Sequence, residues 1–164
     1  MTLAAEPLEE QLLAAMVTRL ESLTLDTIPS PWYVPRFVRR TYQPLDAVND
    51  LPGYLVLRAP EESGAEALTM DDTGTVMATM GVEVLAYGQG SDVDPADRVL
   101  LRLLAQAERV LVQKDLLGPY SNTYTDIQNT RRVLDHETEV GAPWRSLMSH
   151  LYRVRFTYSR GVDA

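Results

Sequence analysis

The stretch "DPADRVLLRLLAQAERVLVQKDLLGPY", Asp94 to Tyr120, decides the fold, because it reads as one long helix with its punctuation, set between segments that read as strands. Leu100, Leu103, Leu104, Ala107, Val110 and Leu111 recur at three- and four-residue spacings, which places them along one helical face. At the start, Asp94 is positioned to cap free amides, Pro95 suits the first helical position, and Asp97 favours the positive end of the helix dipole. At the far end Gly118-Pro119 is the expected stop, since glycine accepts a left-handed cap and proline cannot continue a helix.

Upstream of this helix, "TVMATMGVEVLAY" (Thr75 to Tyr87) alternates Val76, Ala78, Met80, Val82, Val84 and Ala86 with a mixed set, the pattern of a long strand. Gly81 within it suggests a bend or bulge. Before it, "RFVRRTY" (Arg36 to Tyr42) and "YLVLRA" (Tyr54 to Ala59) are rich in β-branched and aromatic residues and read as two strands, with Pro52-Gly53 a turn signal ahead of the second. Glu61 to Asp72 has no apolar period and reads as an acidic loop. Earlier still, Leu8, Leu12, Leu13, Met16, Val17, Leu20 and Leu23 mark a first amphipathic helix over Glu6 to Leu23. Pro29, Pro31 and Pro35 then impose an extended connector. Downstream of the long helix, Thr123 to Val133 reads as a strand. So does Leu147 to Tyr158, which sets Met148, His150, Tyr152, Val154, Phe156 and Tyr158 on one face.

The order is helix, two strands, a long strand, helix, two strands. It predicts an α+β domain: an antiparallel sheet of four to five strands covered on one face by two main helices, with residues 1–164 forming a single domain.

Composition narrows the function. The absence of cysteine rules out disulfides, thiolate metal sites and a cysteine nucleophile. No apolar run reaches the roughly 20 residues needed to span a bilayer, and the N-terminus lacks the pattern of a secretion signal, so no membrane association is expected. A formal charge of −8 argues against nonspecific attachment to nucleic acid. The charge is uneven, however: Arg36, Arg39 and Arg40 cluster early, acid concentrates in Glu61 to Asp72 and Asp92 to Asp97, and arginines return from Arg131 onward. Solvated surface is the plain explanation and complementary faces in an oligomer the sharper one.

Several short patterns imitate chemical motifs. Gly88-Gln89-Gly90 follows a strand and precedes a helix, as a phosphate-binding turn does, but the third glycine is missing and Asp92 and Asp94 would repel phosphate; a flexible turn is the simpler reading. Asp72-Thr73-Gly74 matches the aspartic-protease tripeptide in one copy where two carboxylates are needed, and reads as a hairpin turn. Asp92, Asp94 and Asp97 lack the glycine and glutamate of a calcium loop and are better explained by helix capping. His136 reads as an exposed loop residue and His150 as a core or interface histidine; they do not share a metal-ligand spacing. Ser146 and Ser149 lie near His150 without a nucleophile elbow. Support for an enzyme is weak throughout.

Aromatic residues beside arginine point elsewhere. Trp32, Tyr33, Phe37 and Tyr42 flank the Arg36, Arg39 and Arg40 cluster, a composition suited to sheet packing or a subunit contact. Tyr120 and Tyr124, with Asp126 beside them, lie in the polar segment after the helix stop and are further candidates to meet a neighbouring subunit.

The layout resembles the tail terminator family of long-tailed bacteriophages, also called minor tail protein U-like or tail completion proteins. The likeness rests on the first helix, the proline-rich entry at Ile28 to Pro35, the strand Thr75 to Tyr87, and "DRVLLRLLAQAERVLVQKDLLG" followed by "YSNTYTDIQ" and the late "YRVRFTYS". It covers nearly the whole chain and departs at Gly118-Pro119, where a freer glycine-rich turn is expected. The resemblance implies a virion protein of the tail and neck, assembled in the host cytoplasm, with no catalytic residue, cofactor or metal. It would form a homo-oligomeric ring, usually a hexamer, on the head-proximal end of the tail tube. That ring ends polymerisation of the tail tube protein and offers its other face to a head-completion or connector protein. DNA would pass through the lumen without specific binding, which the acidic charge favours. Two rival readings stand beside it: another neck or tail component, such as a head–tail joining or tube-like protein, and a small cytoplasmic enzyme or ligand-binding domain with a pocket near Asp72, His136 or His150.

Overall fold

The computed structural model describes residues 6–24, 33–59, 66–70, 74–91, 94–121, 123–133 and 145–159. The chain runs α1 (Leu8–Glu21), β1 (Phe37–Arg39), a short 3₁₀ turn (Leu45–Ala47), β2 (Gly53–Arg58), β3 (Glu66–Met70), β4 (Thr75–Gln89), α2 (Ala96–Leu111), β5 (Thr125–Val133) and β6 (Arg145–Ser159). The sheet is open, with the order β1-β2-β4-β6-β5, and both helices pack on one of its faces. This is the α+β arrangement expected from the element order, mostly antiparallel, with one exception: β1 lies parallel to β2.

Its spine is the antiparallel pair of β4 and β6, 15 residues each, in unbroken register from Thr75 opposite Ser159 to Gln89 opposite Arg145. Gly81 sits inside that register opposite Arg153, so it is no bulge against β6. It marks a change of partner on the other edge of β4, where β2 pairs from Tyr87 to Val82 and β3 takes over from Thr79 to Val76. The amide of Ala59 donates to the Gly81 carbonyl at the handover.

Strand β3 corrects the reading of Glu61 to Asp72 as an acidic loop: Glu66–Met70 is a strand on β4, while 60–65 and 71–73 lie outside the described residues. β1 is shorter than "RFVRRTY" suggests, with three residues.

Alternation along the strands sorts the core. Tyr54 and Val56 of β2, the even-numbered residues Ala78 to Ala86 of β4, Ile127 of β5, and Met148, Tyr152, Val154 and Phe156 of β6 meet the leucine stripes of α1 and α2. The opposite face carries a smaller cluster. There Leu55, Leu85 and Tyr87 pack under Leu45, Val48 and Leu51, with Phe37 at its margin. Gly53 makes that margin possible, since a Cβ at this position would stand 2.2 Å from the Phe37 ring.

Both predicted boundaries of α2 are revised. Pro95 occupies the N-cap position and no side chain caps the helix, because Asp94 turns its carboxylate elsewhere. The helix ends at Leu111, before Gly118-Pro119. What replaces a local stop is Arg19 of α1. Its Nη1 donates to the carbonyls of Leu111 (3.4 Å) and Gln113 (3.2 Å), and its Nη2 to those of Lys114 (3.2 Å) and Asp115 (3.1 Å). A helix C-terminus leaves carbonyls without intrahelical partners, and a guanidinium is suited to them in hydrogen bonding and in dipole sign. Burial holds the Arg19 pKa below its ordinary value, opposed by the nearby Asp115 carboxylate. Beyond this fork the chain turns through Asp115 at φ 58 and Gly118 at φ 100, both in the left-handed region.

Candidate functional site

The six residues proposed as subunit contacts fall into two groups at opposite edges of the sheet. Arg36, Phe37 and Arg39 belong to the β1 edge. Arg36 is exposed and its amide donates to the Pro52 carbonyl at 2.8 Å, fixing the entry to β1. Phe37 is half-buried, tilted against Tyr87 with centroids 5.8 Å apart. Arg39 is exposed above it, with its guanidinium carbon 5.7 Å from the Phe37 centroid. Phe37 thus packs against the second apolar cluster and lies under Arg39, while Arg36 and Arg39 present charge to solvent. No acidic side chain among the described residues pairs with either arginine. Arg40, the third basic residue of the cluster, is committed within the chain to Glu10 (2.7 Å) and to the Val56 carbonyl (2.8 Å).

Tyr120, Tyr124 and Asp126 belong to the β5 edge. Tyr120 is 98% exposed and Tyr124 46% exposed. Tyr120 owes its position to a sequence of turns in which the Gly118 amide donates to the Asp115 carbonyl and the Ser121 amide to the Gly118 carbonyl. Tyr124 is held by β6: its amide donates to Thr157 Oγ1 (3.3 Å), and its carbonyl accepts from the Thr157 amide (3.0 Å). Asp126 stands opposite Arg155 in the ladder, accepts from Gln128 Nε2 at 3.0 Å and carries no ion pair among the described residues. The segment is anchored from behind, where the Leu116 amide donates to the buried Thr125 hydroxyl and the Asp115 amide to the Thr125 carbonyl.

Register gives the relation between the two groups. Arg39 is level with Leu55 and Leu85, whereas Asp126 is level with Arg155 and Thr79. Six residue steps along β4 from Thr79 to Leu85 place the groups about 20 Å apart along the strands, and four strand spacings separate them by about 19 Å across the sheet. They are diagonal corners. In the ladder, residues directly opposite share a face, so Arg39, Phe37 and Asp126 all lie on the side away from the helices.

The patterns that imitate chemical motifs have structural roles where they are described. Gly88 and Gln89 end β4, and Gly90 lies so close to the start of α2 that a Cβ there would be 2.7 Å from the Ala96 nitrogen. That corrects the flexible-turn reading: the glycine permits tight docking of loop on helix. Asp94 is the centre of a cluster that joins α2 to Tyr33, 61 residues earlier. Its Oδ2 accepts from the Tyr33 hydroxyl (3.1 Å) and Arg102 (3.3 Å), its Oδ1 from Arg98 (3.3 Å), and the Tyr33 bond with these cations holds the carboxyl below its ordinary pKa. Gln106, buried in α2, completes the clamp. Its amide nitrogen donates to the Tyr33 carbonyl (2.5 Å) and its oxygen accepts from the Tyr33 amide (2.9 Å). His150 is fully buried with Nδ1 3.1 Å from the Tyr152 hydroxyl. His136, Asp72 and Asp92 lie outside the described residues.

Among the described residues no cluster of three His, Cys, Asp or Glu side chains could hold a metal ion, and no helix is long and apolar enough to cross a membrane. Tyr42, grouped in sequence with the β1 aromatics, adds a further exposed ring (58%) just past β1; nothing in its local sequence distinguishes it from a packed aromatic. Neither a scan against protein-family models nor a search of curated proteins gives a match for this chain.

Proposed function

We propose that this protein is a phage tail terminator: a structural ring subunit that seats on the head-proximal end of a tail tube, ends its polymerisation and presents a docking surface for head-completion proteins. The observation that supports this reading beyond the family resemblance is the diagonal placement of the two contact groups. Unlike surfaces at opposite corners associate head to tail, and a head-to-tail contact closes into a ring when the rotation per subunit is right. A protein of this kind acts by geometry, so it needs no catalytic residue or cofactor. The net charge of −8 suits a lumen through which DNA must slide without being held.

Mass measurement with negative-stain imaging tests the proposal. A closed ring of about six copies, near 110 kDa for subunits of 18.4 kDa, is the expected species, either alone or on purified tail tubes. Long polymers would favour the tube-subunit reading instead. A monomer that neither closes into a ring nor is captured by tubes would overturn the assignment.

A further inference from the structure

Resting on the ring reading above, we propose that the ring contact is a specific pairing of the two corners: Arg36 and Arg39 of one protomer dock on Tyr120, Tyr124 and Asp126 of the next. The exposed groups of the two corners are complementary. The β1 corner offers two exposed guanidinium groups with no acidic partner among the described residues, one already lying over an aromatic ring. The β5 corner offers two exposed phenol rings and a carboxylate whose one hydrogen-bond partner among the described residues is Gln128. Guanidinium planes stack on aromatic faces and form forked bonds to carboxylates, so the two sets match in both modes.

The corners cannot meet within one chain, because the sheet holds them about 20 Å apart in one direction and about 19 Å in the other. The backbone beneath each corner is anchored by the fold. Arg39 is propped by Phe37 over Gly53, and the Tyr120 segment is tied to α1 by the Arg19 fork and to β5 by Thr125. The contact is therefore between two copies of this chain, and it is heterologous: each protomer uses one corner toward one neighbour and the other corner toward the next.

Two variants test this as a pair. Arg36→Glu/Arg39→Glu disables the first corner, and Tyr124→Ala/Asp126→Asn disables the second without offering a cation to the new glutamates. Arg36, Arg39 and Tyr124 are exposed and Asp126 is half-buried, and circular dichroism with thermal melting verifies that each variant folds like the parent. Under conditions in which the parent forms rings, each variant alone is expected to be monomeric. A one-to-one mixture is expected to give dimers and nothing larger, about 37 kDa for two 18.4 kDa chains, since only one good pair of corners remains. Parent rings with either variant still forming rings, or a mixture that stays monomeric, would overturn the pairing and leave the ring reading standing. A parent that never forms rings, alone or on tubes, would overturn both.

Discussion

Replacing Arg19 by Met keeps much of the bulk of the side chain and removes the fork that closes α2. Of the four carbonyls it serves, those of Gln113 and Lys114 are in exposed hydrogen bonds and regain water at little cost. Those of Leu111 and Asp115 are in part-buried ones. Hydrogen bonds to a charged group contribute about 1.5–3 kcal/mol each, but lengths of 3.4 and 3.1 Å and partial water access set these near 1 kcal/mol apiece. Loss of a cation at a helix C-terminus adds about 0.5 kcal/mol. The expected destabilisation is thus about 2–3 kcal/mol, read as a shift of the urea midpoint at unchanged slope, or as a fall of about 5–10 °C in Tm for a chain of this size. Arg19→Lys should recover only the dipole part and fall close to Met. Amide exchange supplies the local check: protection at Asp115 and Gly118, whose amides bond to Thr125 and Asp115, should drop before that of β4. A Met variant within 0.5 kcal/mol of the parent would refute the claim that α2 is stopped from outside.

Other outcomes follow from single contacts. Gly53→Ala places a methyl 2.2 Å from the Phe37 ring and should cost about 1–3 kcal/mol in chemical denaturation through overpacking, with Arg39 displaced along with the ring. Tyr54→Phe removes the 2.6 Å bond from the buried Tyr54 hydroxyl to the Leu103 carbonyl and should cost about 1 kcal/mol in the same assay. Burial also raises the pKa of that phenol, so it stays protonated across the working range. Asp94 gives a pH signature. Its pKa is lower folded than its ordinary 3.8, so it contributes stability above that value and the contribution is lost as pH falls through the depressed one. An acid melting series should therefore show a shallower loss of Tm for Asp94→Asn than for the parent. Equal slopes would mean that the Tyr33 and arginine bonds contribute nothing.

Sequence periodicity made both helices, β4 and β6 legible, because each has an apolar face that the core then covers, while β2 was legible from its β-branched and aromatic residues. β3 escaped because "EALTM" carries no period of its own: the free half of the β4 edge makes it a strand. The ends of α2 were misread for a related reason. Local rules assign Asp94 to the helix start and Gly118 to its stop, whereas Asp94 is claimed by Tyr33, 61 residues earlier, and the last turn by Arg19, more than 90 residues earlier. Residue types suited to an interface could be picked out one by one, but that they form two corners depends on strand order and register, and on β1 joining β2 in parallel. None of these is written in spacing along the chain.

The unbroken β4–β6 ladder has a mechanical consequence. Fifteen residues on each strand make a ribbon about 50 Å long, and pulling on its two ends loads many cross-strand bonds together in shear. The Tyr124–Asp126 corner lies toward the end of the ribbon at Thr75, and the Arg39 corner toward the end at Gln89. A stiff bar joining two attachment points transmits displacement where a jointed one would absorb it. In the proposed ring, a tilt imposed on one protomer at one corner would thus reappear at the other, and the closed circle would tilt as one body.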